Sequence, residues 1–340
     1  MSVKTQVLAA LEAARGRDLS GQELAEGLGV SRAAVWKAIG ALREEGYPIS
    51  AANNKGYRLD EASDLVSPEG IRYYLPEEYR ALPVYGLKSV DSTNNYAKRL
   101  MLEGAPHGTV IVADTQTAGR GRHGKSFYSP PMTGLYLSLI LRPRRSLADA
   151  LPITIAAALA VCQAAENLTG LSPRIKWVND VFYQGKKICG ILCEAVSDVE
   201  SGMLEGMVAG IGVNLRTTEA DFGELSQVAG SLFPERLSRN QLAAEIAARL
   251  LDLAKDLGNP GLVEEYKKRS LVLGRQIVYS KAGQRLTGFA YDINAAGNLL
   301  IRESDGNLLT LTAGEVSIGS DQFSHQRPDQ PAASRVKSDR

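Results

Sequence analysis

A chain of 340 residues is long enough for two or three domains with hydrophobic cores of their own. Its 44% hydrophobic and 23% charged residues are typical of a globular protein, and a formal net charge of +1 neither favours nor excludes nucleic acid as a partner. Three cysteines, an odd and sparse set, argue against a disulfide framework and favour the cytoplasm, and without an apolar run of membrane-spanning length we expect no membrane partner.

Residues 1–62 are predicted to form a winged helix-turn-helix domain that binds DNA. Ser20 and Glu23 have the spacing of a capping box at the start of the second helix, and Gly46 ends the third helix before a hairpin over 49–59. The exposed face of the third helix and the hairpin are expected to contact DNA through Ser31, Arg32, Ala33, Trp36, Lys37, Lys55 and Arg58.

The charge of this N-terminal segment is weak for a DNA-binding domain. Residues 1–60 carry eight Lys and Arg against seven Asp and Glu, so a single copy is expected to bind DNA poorly. Two copies paired on a two-fold site would compensate for this. The alternative is a three-helix unit that docks onto proteins or dimerises.

A polar linker then leads to a second domain, predicted over 63–271. Ser67 followed by Pro68 indicates a helix start, since proline suits the first helical position. Apolar and alternating patterns predict strands at 84–88, 109–114, 135–141, 174–178, 187–195 and 203–214. Helical periodicity predicts helices at 93–103, 149–168, 239–257 and 260–270.

The pattern changes again after Gly274. Short alternating strands, separated by turn clusters around Gly283, Gly297 and Gly306, predict a small β-barrel over 272–320. Residues 321–340 lack apolar periodicity and contain prolines, so we expect a disordered tail there.

The segment from Gln116 to Ser129 is the strongest functional signal in the chain. Three glycines, two arginines and a lysine lie within Gly119–Lys125, and no Asp or Glu occurs between Thr115 and Ala148. Glycine lets backbone approach a ligand closely, and the cations favour anions. The segment therefore predicts an anion-binding loop, although a solvated surface turn is the simpler alternative.

Two nucleotide-binding patterns match this loop without their structural context. Gly119 to Ser126 fits the phosphate-loop pattern, and Gly119, Gly121 and Gly124 fit the dinucleotide fingerprint. Both motifs need a helix immediately after the loop, because the helix N-terminus holds the phosphate. Pro130 and Pro131 are incompatible with that helix, and the next predicted element is a strand.

Four other segments carry polar groups at the ends of predicted strands. Ser92, Thr93 and Asn94 exceed what one helix cap needs and could bind a neutral polar group. Ordinary capping and solvated strand ends remain the alternatives for these segments, and Cys189 and Cys193 are interpreted as buried rather than metal-binding, so we predict no metal site. The other segments are Lys176–Asp180, the strand starting at Lys187, and the glycine-containing strand Gly210–Asn214.

Together these segments resemble the bifunctional biotin–protein ligase and biotin-operon repressor family. Gly-Arg-Gly-Arg-x-Gly at 119–124, followed by Lys-Trp-x-Asn-Asp at 176–180, is specific in combination. The family usually has proline where this chain has Val178. The resemblance implies an α+β multidomain fold: a winged helix-turn-helix, a class II aminoacyl-tRNA-synthetase-like α/β ligase domain with a mixed sheet, and an SH3-like β-barrel.

The resemblance also implies a two-step reaction. Biotin and MgATP give biotinyl-5′-AMP and pyrophosphate, and a lysine of the biotin carboxyl carrier protein of acetyl-CoA carboxylase then takes the biotinyl group. Operator DNA and a second copy of the chain, loaded with adenylate, are the other implied partners. The implied catalytic residues are Arg120, Arg122 and Lys187.

Binding residues carry over from the family in the same way, position by position. The implied biotin contacts are Ser92, Thr93, Asn94, Gln116, Arg120, Gly121, Arg122 and Lys187. The implied adenylate contacts are Gly119, Gly124, Phe127, Lys176, Asn179 and Asn214, with Phe127 where the family often has tryptophan over the adenine.

Three other functions compete with this interpretation. A lipoate or octanoate ligase would need an apolar tunnel in place of the Ser-Thr-Asn edge, and it typically lacks a DNA-binding domain. A ligand-sensing repressor without catalysis would lose no turnover on substitution of Lys187. A phosphate-loop hydrolase would depend on Lys125 for nucleotide binding.

Overall fold

The computed structural model describes residues 2–52, 55–142, 150–197, 204–233, 237–281 and 284–318. Arg144, Arg145, Gly283 and the predicted disordered tail lie outside these ranges. The described helices are α1 Val3–Ala13, α2 Gly21–Leu28, α3 Arg32–Glu44, α4 Pro68–Tyr74, α5 Thr93–Leu102, α6 Ala150–Thr169, α7 Glu219–Phe222, α8 Arg239–Ala254 and α9 Pro260–Lys268. The described strands are β1 Ile49–Ala52, β2 Gly56–Leu59, β3 Val84–Val90, β4 Val110–Gln116, β5 Gly134–Leu141, β6 Arg174–Lys176, β7 Asp180–Tyr183, β8 Lys186–Ser197, β9 Leu204–Asn214, β10 Arg275–Lys281, β11 Gln284–Ile293, β12 Leu299–Glu303, β13 Leu308–Leu311 and β14 Val316–Ser317.

The N-terminal helices and hairpin form a helix-turn-helix unit with its own core, as predicted. Ser20 and Glu23 make both hydrogen bonds of the capping box at α2, and Gly29 ends that helix with a φ of 64°. Val35, Ile39 and Leu42 bury one side of α3 against α1 and α2. The other side of α3 is therefore left to solvent.

The central domain is built on a seven-stranded mixed sheet in the order β3-β4-β5-β9-β8-β7-β6. Only β3 and β4 pair in parallel; the other described pairs in this sheet are antiparallel. Helices α6 and α8 pack together and against the sheet, with Leu137 and Leu139 of β5 in their cluster. Ile140 of the same strand packs with α5, because successive side chains of a strand alternate between faces.

Helix α6 corrects the expectation that the chain contains no apolar run of membrane-spanning length. It has 20 residues, and its most apolar window has a mean hydropathy of 1.4, so by length and composition it could cross a membrane. However, 61% of its most apolar window is buried inside the fold, where it contacts α8, α9 and the central sheet. Burial of this kind is what a core helix requires.

The C-terminal strands form a five-stranded antiparallel sheet in the order β13-β12-β11-β10-β14. Ile277, Leu299 and Ile301 of this sheet belong to the same buried cluster as α6 and α8. The indole Nε1 of Trp177 also donates to the carbonyl oxygen of Gly297 at 3.0 Å. The C-terminal sheet is thus packed directly on the central domain, next to the Lys176–Asp180 segment.

The linker between the first two domains is held by a buried arginine. Arg239, fully buried at the start of α8, pairs with Asp64 of the linker at 3.1 Å and with Asp114 of β4 at 2.7 Å. Arg216, which follows β9, pairs with the same Asp64 carboxylate at 2.5 Å. A buried arginine requires such partners, since an unpaired buried charge is strongly destabilising.

Candidate functional site: a cleft under a cationic loop

A cleft of about 200 Å³ lies between the central sheet, α5, the glycine-rich loop and the C-terminal sheet. The sequence had predicted most of its polar wall, and these residues, dispersed over the chain, come together. The predicted residues that line it are Ser92, Thr93, Asn94, Gln116, Arg120, Gly121, Arg122, Phe127, Lys176, Asn179 and Lys187.

One wall is a connected hydrogen-bond network at the start of α5. Gln116 accepts from the backbone N–H of Thr93 at 2.8 Å and donates through Nε2 to Ser129 Oγ at 2.9 Å. Ser138 lies within 2.8 Å of Thr93 Oγ1 and 2.7 Å of Asn94 Oδ1. Among the described residues, no side-chain partner occupies the Ser92 hydroxyl, which therefore remains a donor and acceptor for a ligand.

The glycine-rich segment, which we call the cationic loop (Gln116–Ser129), folds back on itself over the cleft. The N–H of Gly121 donates to Lys125 O at 2.7 Å, and the N–H of Phe127 donates to Gly119 O at 2.8 Å. A Cβ on Gly119 would lie 2.5 Å from Phe127 O, so this crossing requires glycine. The backbone of the loop is thereby set by its sequence, and not by a following helix.

Each cation of the loop has a partner in another part of the fold. Arg120 pairs with Glu194 of β8, and Arg122 donates from Nη1 to Asn179 Oδ1 at 2.9 Å. Lys125 Nζ lies 2.6 Å from Glu315 Oε1, next to β14. These contacts attach the loop to β8, to the Lys176–Asp180 segment and to the C-terminal sheet.

Lys187 and Lys176 add positive charge to the opposite wall. Lys187 Nζ lies 2.7 Å from Asp180 Oδ1 across the β7–β8 hairpin. Burial lowers the pKa of Lys176, and the nearby Lys187 acts in the same direction, while Asp180 opposes both. Lysines held in a cleft in this way are suited to neutralise a bound anion.

Phe127 lies on bare backbone inside the cleft. A Cβ on Gly212 would be 2.5 Å from ring atom Cε1, and a Cβ on Gly190 would be 3.2 Å from Cε2. Gly190 and Gly212 are paired neighbours on β8 and β9, so the two glycines together make the seat of the ring. The ring of Phe127 thus covers the backbone of Gly212.

Three predicted binding residues do not line the cleft. Gly119 is buried where the loop crosses itself, next to Phe127 O. Gly124, with a φ of 73°, lies in the exposed turn of the loop. Asn214 is buried and donates from Nδ2 to Gly230 O at 3.1 Å. The contacts of these three residues with an adenylate stay predictions.

Several residues of the site were not singled out from the sequence, among them Ser138, Gly190, Glu194 and Glu315. Ser138 is a single polar residue in the apolar strand Leu135–Leu141, and a buried hydroxyl needs partners, which was a usable signal. Gly190, Glu194 and Glu315 carried no comparable signal. Glu194 and Glu315 meet loop residues 74 and 190 positions away, which no local pattern encodes.

The predicted DNA-binding residues divide into two groups. Those on α3 are exposed, and Trp36 is 68% exposed, which is unusual for so large an apolar surface without a partner. Arg58 of the hairpin, however, pairs with Asp18 at 3.0 and 3.2 Å. Its guanidinium is thereby committed within the domain.

No cluster of three metal-ligating side chains occurs in the described parts of the chain. Cys189 is buried, whereas Cys193, expected to be buried, is only partly so. Burial raises the pKa of the Cys193 thiol to about 11. Burial likewise raises the pKa of the Cys189 thiol.

Comparison with known families divides the chain into three parts. Residues 86–214 match the biotin/lipoate A/B protein ligase family, and these residues contain most of the cleft wall. Residues 3–58 match an HTH domain, and residues 272–319 match the biotin protein ligase C-terminal domain.

Two relatives are similar in sequence to this chain over much of its length. The bifunctional ligase/repressor BirA of Salmonella typhimurium is 31% identical over 313 residues, which cover 90% of this chain and 95% of that protein. The bifunctional ligase/repressor BirA of Bacillus subtilis is 40% identical over 215 residues, which cover 63% of this chain and 66% of that protein. The match thus spans just under two thirds of the Bacillus protein.

Among solved structures, the biotin protein ligase from Aquifex aeolicus in complex with biotin and ATP has a similar fold. It superimposes with a TM-score of 0.60 at 28% identity, over 69% of this chain and 97% of that one. Nearly all of the Aquifex chain therefore has a counterpart here, whereas about a third of this chain lies outside the superposition.

Proposed function

We propose that this chain, which belongs to the family of bifunctional biotin–protein ligases and repressors, joins biotin to AMP and passes the biotinyl group to a protein lysine. Family membership rests on the match to the Salmonella protein over nearly its whole length. The activity would be that of a biotin–[acetyl-CoA-carboxylase] ligase. The observation that carries it is the meeting of a neutral polar wall and five lysine and arginine side chains in one cleft.

The polar wall suits the ring system of biotin. That ring presents N–H donors and a carbonyl acceptor along one edge, and it is apolar elsewhere. Ser92 offers a free hydroxyl, and Gln116 Nε2 retains one N–H beyond its bond to Ser129. Asn94 Oδ1 accepts from Ser138 and keeps a second lone pair for a ligand N–H.

The cations suit the first chemical step. Adenylate formation brings a carboxylate against a triphosphate, and at about 4 Å each unit-charge repulsion costs roughly 4 kcal/mol at an effective dielectric near 20. We assign Arg120, Arg122 and Lys187 to neutralising this charge. In the second step the carrier lysine would attack the acyl carbon of biotinyl-5′-AMP, and Lys187 would stabilise the oxyanion that forms before AMP leaves.

The cationic loop would also protect the intermediate. A mixed anhydride hydrolyses in water, and a loop closed over the cleft excludes water from it. Phe127 lies on Gly190 and Gly212, so an adenine bound there would either stack on its ring or displace it.

Magnesium fits this site as a companion of ATP. Mg²⁺ usually keeps several waters and binds through substrate phosphates plus one or two carboxylates. Asp180 and Glu315 are the carboxylates that line the cleft, although each already pairs with a lysine. The ion would supply further neutralisation of the phosphates.

The remaining partners follow from the domains around the cleft. The HTH domain would bind operator DNA of biotin-synthesis genes, as a homodimer formed through the central sheet when adenylate is bound. The carrier would be the biotin carboxyl carrier protein of acetyl-CoA carboxylase. Because ATP, carrier and DNA meet in the cytoplasm, we place the protein there.

A biotin-dependent exchange of pyrophosphate into ATP tests this proposal against its nearest rival. We expect exchange with biotin and none with lipoate or octanoate, because the α5 wall is polar where a lipoyl chain would need an apolar tunnel. Exchange that follows lipoate, or no exchange with any acid, would contradict the proposal. A repressor that only binds its ligand would give the second outcome.

A further inference from the structure

The carboxylate of Glu194 joins three elements of the site. It accepts a hydrogen bond from Asn94 Nδ2 at 2.8 Å and pairs with Lys98 Nζ at 2.6 Å and with Arg120 of the cationic loop. Glu194 lies on β8, and its side chain is 20% exposed. It does not itself line the cleft, but two of its partners do.

We propose that Glu194 is a positioning residue, which fixes the amide of Asn94 toward the biotin edge and holds the cationic loop through Arg120 until ligand arrives. This inference rests on the proposed function. It concerns a residue that acts through others, since Glu194 does not line the cleft.

The orientation of the Asn94 amide depends on two acceptors. Nδ2 donates to Leu192 O at 3.1 Å and to Glu194 Oε2. A flipped amide would place its oxygen against both of these oxygens. Glu194 and the Leu192 carbonyl therefore keep Asn94 Oδ1 on the side of Ser138 and the cleft.

Lys98 allows Glu194 to release Arg120 at little cost. Both cations contact the same carboxylate oxygen, Oε1, so the carboxylate keeps one partner when Arg120 leaves for an anionic ligand. Burial by itself raises the pKa of Glu194, but hydrogen bonds from Lys98 and Asn94 outweigh it and hold that pKa below its usual range. Glu194 is consequently charged at neutral pH.

Two measurements on Glu194→Gln test the inference. In pyrophosphate exchange, we expect the KM for biotin to rise about tenfold, as for loss of a hydrogen bond to a charged group, with kcat little changed. In the ligand-free protein, trypsin should cut the cationic loop faster than in wild type, because Arg120 is no longer held by a charge.

Glu205→Gln is the matched control. Glu205 is a β9 glutamate paired with Arg142 at 2.9 Å, and it does not line the cleft. The Glu205→Gln substitution should change neither the KM for biotin nor the rate at which trypsin cuts the cationic loop. Lys98→Met should slow loop cleavage, since Arg120 becomes the one remaining cation on the Glu194 carboxylate within the described contacts.

The outcomes separate this inference from the proposed function. Wild type without any biotin-dependent exchange would refute the function, yet the trypsin comparison would still test the loop contact. If wild type exchanges and Glu194→Gln matches it in KM and in loop cleavage, the positioning role is refuted. Faster loop cleavage in Lys98→Met would also refute the shared-carboxylate arrangement.

Discussion

The amide of Asn94 lies directly on the backbone of Gly210. A Cβ at Gly210 would come within 2.1 Å of Asn94 Oδ1 and 2.8 Å of Nδ2. Gly210 pairs with Ser138 on one side and Leu192 on the other, and both of those residues also hydrogen-bond Asn94. The glycine of β9 is thus required by the asparagine of α5.

Gly210→Ala should therefore disturb the biotin wall. Displacing Asn94 amounts to overpacking, which costs about 1–3 kcal/mol, and we expect a lower melting temperature together with a raised KM for biotin. Gly27→Ala is the control, since nothing lies within 4 Å of a Cβ there. A Gly210→Ala protein with unchanged melting temperature and KM would show that the wall tolerates the methyl group.

Lys187→Gln should lower kcat/KM for pyrophosphate exchange about 100-fold. This is the loss expected when one positively charged donor that stabilises the negative charge of the transition state is removed. Lys186→Gln is the neighbouring control, because Lys186 pairs with Glu219 and does not line the cleft. Equal losses in the two variants would contradict a specific role for Lys187.

Arg120→Ala and Lys125→Ala should differ strongly. Both residues line the cleft, but the side chain of Arg120 is 41% exposed and pairs with Glu194, whereas that of Lys125 is 65% exposed and pairs with Glu315. We expect Arg120→Ala to lower exchange about 100-fold and Lys125→Ala to lower it only a few-fold. A phosphate-loop hydrolase would show the reverse order, with nucleotide binding lost in Lys125→Ala.

The residues expected to bind DNA should contribute more to DNA affinity on α3 than on the β1–β2 hairpin. Arg32→Ala should weaken binding to a selected operator duplex and reduce the salt slope by about one unit, as for loss of one phosphate contact. Arg58→Ala should have a smaller effect, because Asp18 already holds that guanidinium. Pyrophosphate exchange should be unchanged in both variants, and an equal loss of DNA binding would contradict the distinction.

The Glu194 carboxylate also predicts a pH dependence of stability. Its folded pKa is lowered, so its contribution is complete above the ordinary value of 4.5 and is lost as the pH falls below 4.5 through the folded pKa. The difference in unfolding free energy between wild type and Glu194→Gln should therefore shrink as the pH falls below 4.5. A difference that grows on acidification would contradict this sign.

The sequence predicted those parts of the molecule that depend on local patterns. Capping at Ser20, proline after the cationic loop and alternation along β5 each follow from one stretch of chain. Strand β7 was missed because Asp180–Tyr183 is only four residues long and follows directly on a turn. Glu194 and Glu315 were missed because their partners come from α5 and from the loop only after the sheets have packed.

The most direct measurement is native mass spectrometry of the protein after incubation with biotin and MgATP. If the cleft joins the two substrates and retains the product, the protein should carry the added mass of one biotinyl-5′-AMP. That mass should disappear when a carrier protein is added, as the carrier gains one biotinyl group. Protein that carries only biotin or only ATP, with no adenylate and no modified carrier, would contradict the proposed function.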